Sequence, residues 1–138
     1  MKISPNDLCP CGSTKKYKKC CKPFHDGQIP KSAKELMKSR FSAYALSKAD
    51  YIIDTTHPEN PDFTNNIQSW KKDIMNFCDY TDFVNLEVYE TEVGEKESFV
   101  TFKATLTQDK LDASFSEKSR FLKIDGKWFY IDGTFFDY

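Results

Sequence analysis

Four cysteines near the amino terminus are the residues of this chain whose chemistry is easiest to infer. Their spacing is C-x-C-x8-C-C, and all four fall within the first 21 residues: Cys9, Cys11, Cys20 and Cys21. Four thiolates in tetrahedral geometry, each about 2.3 Å from the metal, form a closed structural zinc site with no position left for water. The pattern therefore predicts one structural Zn²⁺ held by these four side chains.

The residues between the cysteines support a metal site. Gly12-Ser13 permits a tight reversal of the chain after the first pair. A segment of fewer than about 40 residues rarely buries enough apolar surface to fold alone, and this one offers only Leu8, Tyr17 and Phe24. Metal binding would then supply its folding free energy, on the order of 10–16 kcal/mol in comparable zinc peptides.

Three other interpretations of the four thiols stay open. A pair of disulfides needs an oxidising compartment, whereas residues 1–7 do not resemble a signal peptide and lead us to expect a cytoplasmic protein. An iron–sulfur cluster also uses four thiolates, although so tight a spacing favours zinc. A thiol redox pair would favour a CxxC motif, which this segment lacks. The fifth cysteine, Cys78, is predicted to be a small buried apolar side chain.

The charge of the chain is unevenly distributed. Its net charge is −1, but residues 1–30 contain six lysines (Lys2, Lys15, Lys16, Lys18, Lys19 and Lys22) against two aspartates (Asp7 and Asp26). A basic module on an acidic body predicts docking on an anionic partner, either an acidic protein face or RNA. The alternative is that the lysines balance the thiolates and are otherwise solvated. Tyr17 stands nearly alone, so the module lacks the aromatic platform expected for single strands.

The rest of the chain is predicted to be an α+β domain with helices first and strands afterwards. Ser32 is placed as the N-cap of a first helix over residues 33–48, where apolar side chains recur at helical spacing. A second, shorter helix is predicted over residues 49–55 and a third over residues 64–76. A loop over residues 59–62, which contains Pro61, separates the second helix from the third.

From Phe83 onward, apolar and polar residues alternate with the period of a β-strand. About four strands fit this region, and Asp125-Gly126 predicts a tight hairpin between the last two. The pattern as a whole predicts three helices packed on a curved antiparallel sheet.

Several polar side chains are predicted to point inward, between the helices and the sheet, where they would line any cavity left between these two layers. Arg40 lies in the apolar stripe of the first helix, and a buried arginine needs acceptor oxygens. Glu117 is its leading predicted partner, because it alternates in phase with Phe115 and Phe121. The remaining candidates for the lining are Tyr44, His57, Trp70, Ser119 and Trp128.

Three roles for these polar residues stay open. One is an internal ion pair of Arg40 and Glu117 that fixes the first helix on the sheet above a closed core. Another is a small-ligand pocket in which Arg40 anchors an anionic group. The third is acid–base catalysis by His57 and Glu117, although a histidine before a proline more often ends a helix than acts as a base.

Several other kinds of chemistry have no counterpart in the sequence. The five glycines are scattered singly, so there is no phosphate-cradling loop. Nucleophile elbows, HExxH motifs and clustered DxD elements are missing, and no apolar run is long enough to cross a bilayer. We therefore assign no catalytic residue and expect no membrane insertion.

The run C-P-C-G-S at 9–13, followed by K-K-Y-K-K-C-C at 15–21, closely resembles the SEC-C zinc motif found at the carboxyl end of the SecA translocation motor. Segments 36–44, 50–51, 56–58, 117–121 and 126–130 resemble the bacterial YchJ family, in which this motif precedes a domain of the nuclear transport factor 2-like (NTF2-like) fold. The resemblance implies a SEC-C zinc module over residues 1–27 and an NTF2-like cone over residues 28–138.

The resemblance also bears on partners. In SecA the similar motif binds the SecB chaperone and the ribosome, which implies a protein or ribosomal partner for the basic module. Cone domains of this class often pair through the outer face of the sheet, so a homodimer stays open. No established reaction is implied, and the main alternative to an adaptor is a small-molecule binder or enzyme that uses the cavity around Arg40 and Glu117.

Overall fold

The computed structural model describes residues 3–137, of which residues 3–27 form a compact loop that we call the cysteine module. Leu8 and Lys16 form an antiparallel bridge, and the Cys9 N–H donates to the Lys15 carbonyl at 2.8 Å. Gly12 has a φ of 80°, a left-handed conformation that glycine adopts freely, and it makes the predicted reversal. A 3-10 turn, Tyr17–Lys19, and the short helix α1, Lys22–His25, complete the module.

Three helices follow: α2, Ala33–Ala45; α3, Ala49–Asp54; and α4, Ile67–Asp79. Ser32 is the N-cap of α2 as predicted, since its Oγ accepts the Glu35 N–H at 3.1 Å. The helix ends earlier than predicted, because Ser47 adopts a positive φ of 58°. The third predicted helix begins three residues later than expected, where the Asn66 side chain caps it by accepting the Ser69 N–H.

The second half of the chain is an antiparallel sheet of five strands: β1, Thr81–Glu92; β2, Glu97–Gln108; β3, Leu111–Asp112; β4, Phe115–Ile124; and β5, Lys127–Phe136. The strand order is β1-β2-β4-β5, and the two-residue β3 pairs with β2. Asp125 and Gly126 both have positive φ, 50° and 81°, as the type I′ hairpin predicted for this dipeptide requires. Register shifts in β1 and between β4 and β5 add the local bends that curve a sheet.

Helix α2 lies between the sheet and the cysteine module. One side of it packs in the main core, where Leu36 and Phe41 meet Phe102 and Phe121. Helices α3 and α4 form a second cluster around Ile52, Trp70 and Ile74. The predicted α+β fold is therefore confirmed. No helix within residues 3–137 has the length and apolar character needed to cross a membrane.

Candidate functional site

The four cysteines of the module converge as the sequence predicts. Their Sγ atoms all lie within 4.8 Å of one another. Tetrahedral zinc with bonds of about 2.3 Å places its sulfurs about 3.8 Å apart, and the Cys11–Cys20 and Cys20–Cys21 separations are 3.5 and 4.0 Å. Both values are far from the about 2.05 Å of a disulfide bond. The donor set therefore fits one tetrahedral metal ion.

Two serine hydroxyls contact the sulfurs from outside the cluster. Ser13 Oγ lies 3.1 Å from Cys20 Sγ, and Ser42 Oγ of α2 lies 3.3 Å from Cys9 Sγ. A hydroxyl can donate to a thiolate and so favours the deprotonated ligand form. The pKa of Cys11 is lowered, chiefly because protons on the neighbouring Cys21 and Cys9 thiols would stabilise its thiolate. A bound cation would take the place of those shared protons.

His25 fastens the cysteine module to α2. Its Nε2 lies 2.8 Å from the Ser39 carbonyl oxygen, which can only accept, so Nε2 carries the proton. Its Nδ1 then accepts from the Tyr17 hydroxyl at 2.6 Å. Burial lowers the pKa of His25 and favours this neutral form. The sequence patterns did not identify His25, because its role depends on α2 packing against the module.

Four lysines of the module stay exposed: Lys15, Lys16, Lys18 and Lys19. None of them belongs to an ion pair within residues 3–137, whereas Lys22 pairs with Asp26 at 2.6 Å. Tyr17, the aromatic residue between them, is buried. We call these four residues the lysine face.

A second candidate site is a cavity of about 190 Å³ between α2, α4 and the sheet, partly open to solvent. Six phenylalanines provide most of its apolar wall: Phe41, Phe77, Phe83, Phe102, Phe115 and Phe121. Four of the seven predicted polar or aromatic lining residues are present, namely Arg40, Tyr44, Glu117 and Ser119. Tyr130 also lines the cavity and was not among the candidates, although it shares a strand face with Trp128.

Arg40 and Glu117 do not form the predicted contact ion pair. Arg40 Nη1 donates to Ile52 O, Thr55 Oγ1 and Thr56 Oγ1 at 3.1, 2.8 and 3.1 Å. These acceptors lie at the end of α3, where helix carbonyls lack intrahelical partners. Its guanidinium also lies 4.9 Å from the centre of the Tyr130 ring.

Glu117 points inward as the strand alternation predicts, but its partners are hydroxyls. Its Oε2 accepts from Ser119 Oγ and from Tyr130 Oη, the latter at 3.0 Å. Tyr130 thus lies between the two charged groups. Burial raises the pKa of Glu117, which opposes the effect of the two hydroxyl donors and of Arg40.

The other three candidates lie away from the cavity. His57 Nδ1 accepts the Glu59 N–H at 3.0 Å, so this histidine caps the loop after α3. Trp70 packs edge-on against Phe63 in the second cluster, with ring centres 5.2 Å apart. Trp128 packs in the main core, and Lys123 lies over its ring. These side chains are buried but do not line the cavity. Apolar periodicity in a sequence cannot distinguish a side chain that fills the interior from one that lines a cavity.

Comparison with known proteins agrees with this geometry. A family model described as "YchJ, middle NTF2-like domain" matches residues 32–133, well over half of the chain. The chain belongs to the YchJ family. A model of the SEC-C motif matches residues 6–23, which contain all four clustered cysteines.

Relatives of this YchJ-family chain align with it over most of its length. A UPF0225 protein of Vibrio parahaemolyticus is 39% identical over 130 residues, which are 92% of this chain and 74% of the relative. A UPF0225 protein of Serratia proteamaculans is 39% identical over 133 residues, 93% of this chain and 83% of the relative. The resemblance to the YchJ family noted from the sequence is therefore confirmed.

Solved structures show the same fold. A SEC-C motif containing protein from Rhodopseudomonas palustris has a TM-score of 0.82 and 32% identity, covering 95% of this chain and 100% of that one. A second such protein, from Psychrobacter arcticus, has a TM-score of 0.79 and 28% identity, covering 97% of this chain and 85% of that one.

Proposed function

We propose that this YchJ-family chain is a cytoplasmic adaptor in which one structural Zn²⁺, held by Cys9, Cys11, Cys20 and Cys21, shapes a lysine face that docks on an acidic protein surface. The convergence of the four sulfurs within 4.8 Å carries this proposal. A reducing cytoplasm keeps such thiols available as metal ligands.

Elemental analysis tests the metal. Protein purified under reducing conditions without added zinc should contain about one zinc per chain, as a closed four-thiolate site binds one ion. Cys11→Ser should lose the metal, whereas the matched control Cys78→Ser should keep it, because Cys78 lies in the second cluster, among α3 and α4. Iron with visible absorption would indicate a cluster instead, and metal-free protein would contradict the proposal.

The unpaired lysines support docking on an acidic partner. Lys15, Lys16, Lys18 and Lys19 are exposed without ion pairs in the described chain, so partner carboxylates would not have to displace internal ones. Protein is favoured over single-stranded RNA because Tyr17 is buried and Phe24 and His25 are only partly exposed, so the module lacks a fully exposed aromatic platform for base stacking. The partner binding of the similar motif in SecA points the same way.

A pull-down with two charge-matched variants tests the lysine face. In one variant Lys15, Lys16, Lys18 and Lys19 are all changed to alanine; in the control Lys31, Lys34, Lys72 and Lys127, which are exposed on the body, are changed instead. Proteins recovered with the wild type should be lost with the first variant and kept with the control. Equal losses would show non-specific charge effects, and recovery that disappears after RNase treatment would identify RNA as the partner.

A second candidate function is binding of a small molecule in the cavity. It is favoured by one observation: a cavity of about 190 Å³, walled by phenylalanines, also contains the buried groups of Arg40 and Glu117. Apolar pockets with a few convergent polar groups are typical of ligand sites. A thermal-shift series with small organic molecules should then raise the melting temperature, and the Ala104→Leu variant, which narrows the cavity, should respond less.

A further inference from the structure

Arg40 is a buried cation whose set of partners is incomplete. It is 8% exposed, and within residues 3–137 its hydrogen bonds all come from Nη1, to one carbonyl and two hydroxyl oxygens. All three acceptors are uncharged. No ion pair of the described chain includes Arg40. Its charge is therefore held in the interior without a carboxylate at contact distance, which is unfavourable.

Arg40 has further N–H donors, and its side chain lines the cavity. A guanidinium carries five N–H donors, and those on Nε and Nη2 bond to no residue in the described part of the chain. No fully buried polar side-chain atom there lacks a partner, so Nε and Nη2 must contact open space. The open space that Arg40 lines is the phenylalanine-walled cavity.

The volume of the cavity limits what it can hold. An engineered apolar cavity of about 150 Å³ takes up benzene, and the cavity beside Arg40 measures about 190 Å³. The additional volume accommodates one polar substituent on a single ring, or a branched aliphatic group of similar size. A larger ligand would extend through the opening of the cavity into solvent.

We propose that the cavity binds a small monocarboxylate with a single-ring or branched apolar body, whose carboxylate receives the Nε and Nη2 donors of Arg40. This inference rests on the second candidate function, which it deepens. Two parallel N–H donors match the two oxygens of a carboxylate, and such charge-assisted pairs are stronger than neutral hydrogen bonds. The ligand would supply the counter-charge that Arg40 lacks in the protein.

The carboxyl group of Glu117 does not make the cavity a binding site for amines. Its Oε2 already accepts from the Ser119 and Tyr130 hydroxyls, and Tyr130 lies between it and Arg40. Burial raises the pKa of Glu117, which favours the neutral acid. An ammonium ligand would share a small, low-dielectric space with the Arg40 cation, and this repulsion is costly.

Three ligands of matched shape test the proposal: benzoate, benzamide and benzylamine. We expect benzoate to bind with a Kd of about 1 mM or tighter, and about tenfold more tightly than the neutral benzamide. Binding is measured by calorimetry and by shifts of backbone amide resonances. Arg40→Met should reduce the ratio of benzoate to benzamide affinity to about one. Ala104→Leu should weaken both ligands while leaving Arg40 in place, so the test survives if the Arg40 variant does not fold.

The outcomes separate this inference from the candidate function beneath it. If benzamide or benzylamine binds in the cavity as tightly as benzoate, the cavity is a ligand site but the carboxylate assignment is wrong. If none of the three binds, both fail. Benzoate binding that is unchanged by Ala104→Leu but lost in the four-lysine variant of the lysine face would place the anion on the module and overturn the proposal.

Discussion

Gly133 makes room for the Glu117 carboxyl group, and this close approach can be tested by a double-mutant cycle. Gly133 pairs with Ser119 in the ladder between β4 and β5. A Cβ atom at position 133 would collide with Oε2, Cδ and Cγ of Glu117. The φ of Gly133 lies outside the left-handed region, so the cost of an alanine there is steric and not conformational.

We expect Gly133→Ala to destabilise the protein by about 1–3 kcal/mol, the usual cost of overpacking a filled site. In a Glu117→Ala background the colliding atoms are gone. Alanine should then be neutral or stabilising by about 0.4–1 kcal/mol, because it restricts the unfolded chain more than glycine does. The two changes should therefore couple by about 1–4 kcal/mol, which is the difference between these two effects.

Urea denaturation of the four proteins in reducing, zinc-containing buffer measures the cycle. Gly126→Ala is the control, because Gly126 has a φ of 81° and a Cβ atom added there would meet nothing within 4 Å. An alanine at position 126 should therefore destabilise the protein through backbone strain alone. This loss of stability should be the same with and without Glu117→Ala. Additive effects of Gly133→Ala and Glu117→Ala, or a Gly133→Ala protein as stable as the wild type, would refute the close packing of the carboxyl group.

Three further predictions concern protonation, the metal and the docking of the module. Burial raises the pKa of Glu117 in the folded state, whereas the unfolded chain has the usual value of about 4.3. As the pH rises above about 4.3, the unfolded chain loses this proton before the folded chain does, so the free energy of unfolding of the wild type should fall relative to that of Glu117→Gln. If the free energies of unfolding of the two proteins, measured in urea, change in parallel with pH, this prediction is wrong. Ser42→Ala, which removes the hydroxyl beside Cys9 Sγ, should weaken zinc affinity by about tenfold in a chelator competition, whereas Ser98→Ala, a buried serine bonded to Gly94, should not. His25→Phe should lower stability by about 1–3 kcal/mol in thermal unfolding, because Tyr17 Oη loses its partner; an unchanged melting temperature would show that His25 does not fasten the module.

The parts of the structure that follow from local sequence were predictable. Ser32 caps α2 and Asp125-Gly126 turns the last hairpin because the residues that form these features are adjacent in the chain. The convergence of the four cysteine side chains was predictable for the same reason, because the ligand types and their spacing are contained in one short segment. Alternation also placed Glu117 on the inner face of the sheet.

The parts that depend on how elements pack were not predictable. Periodicity assigns a side chain to a face but not to a neighbour, so nothing in the sequence showed that Arg40 would meet the end of α3. The register of β5 against β4, which likewise cannot be inferred from periodicity, decides which side chain of β5 reaches Glu117. Trp128 and Tyr130 share a face, but only Tyr130 is placed by pairing and by the shift near Phe121 to reach the Glu117 carboxyl.

Helix α2 explains why the cysteine module and the cone cannot be treated as independent parts. Ser39 and Ser42 are fully buried on the side that meets His25 and Cys9, while Arg40 and Phe41 line the cavity. Neighbouring residues of one helix thus contact both sites, which is why so little of α2 is exposed. Removing the module would expose buried hydroxyls and carbonyls of α2, so a truncation would damage the cone as well. Point substitutions of the exposed lysines and of single cavity residues are therefore the changes that distinguish the two proposed sites.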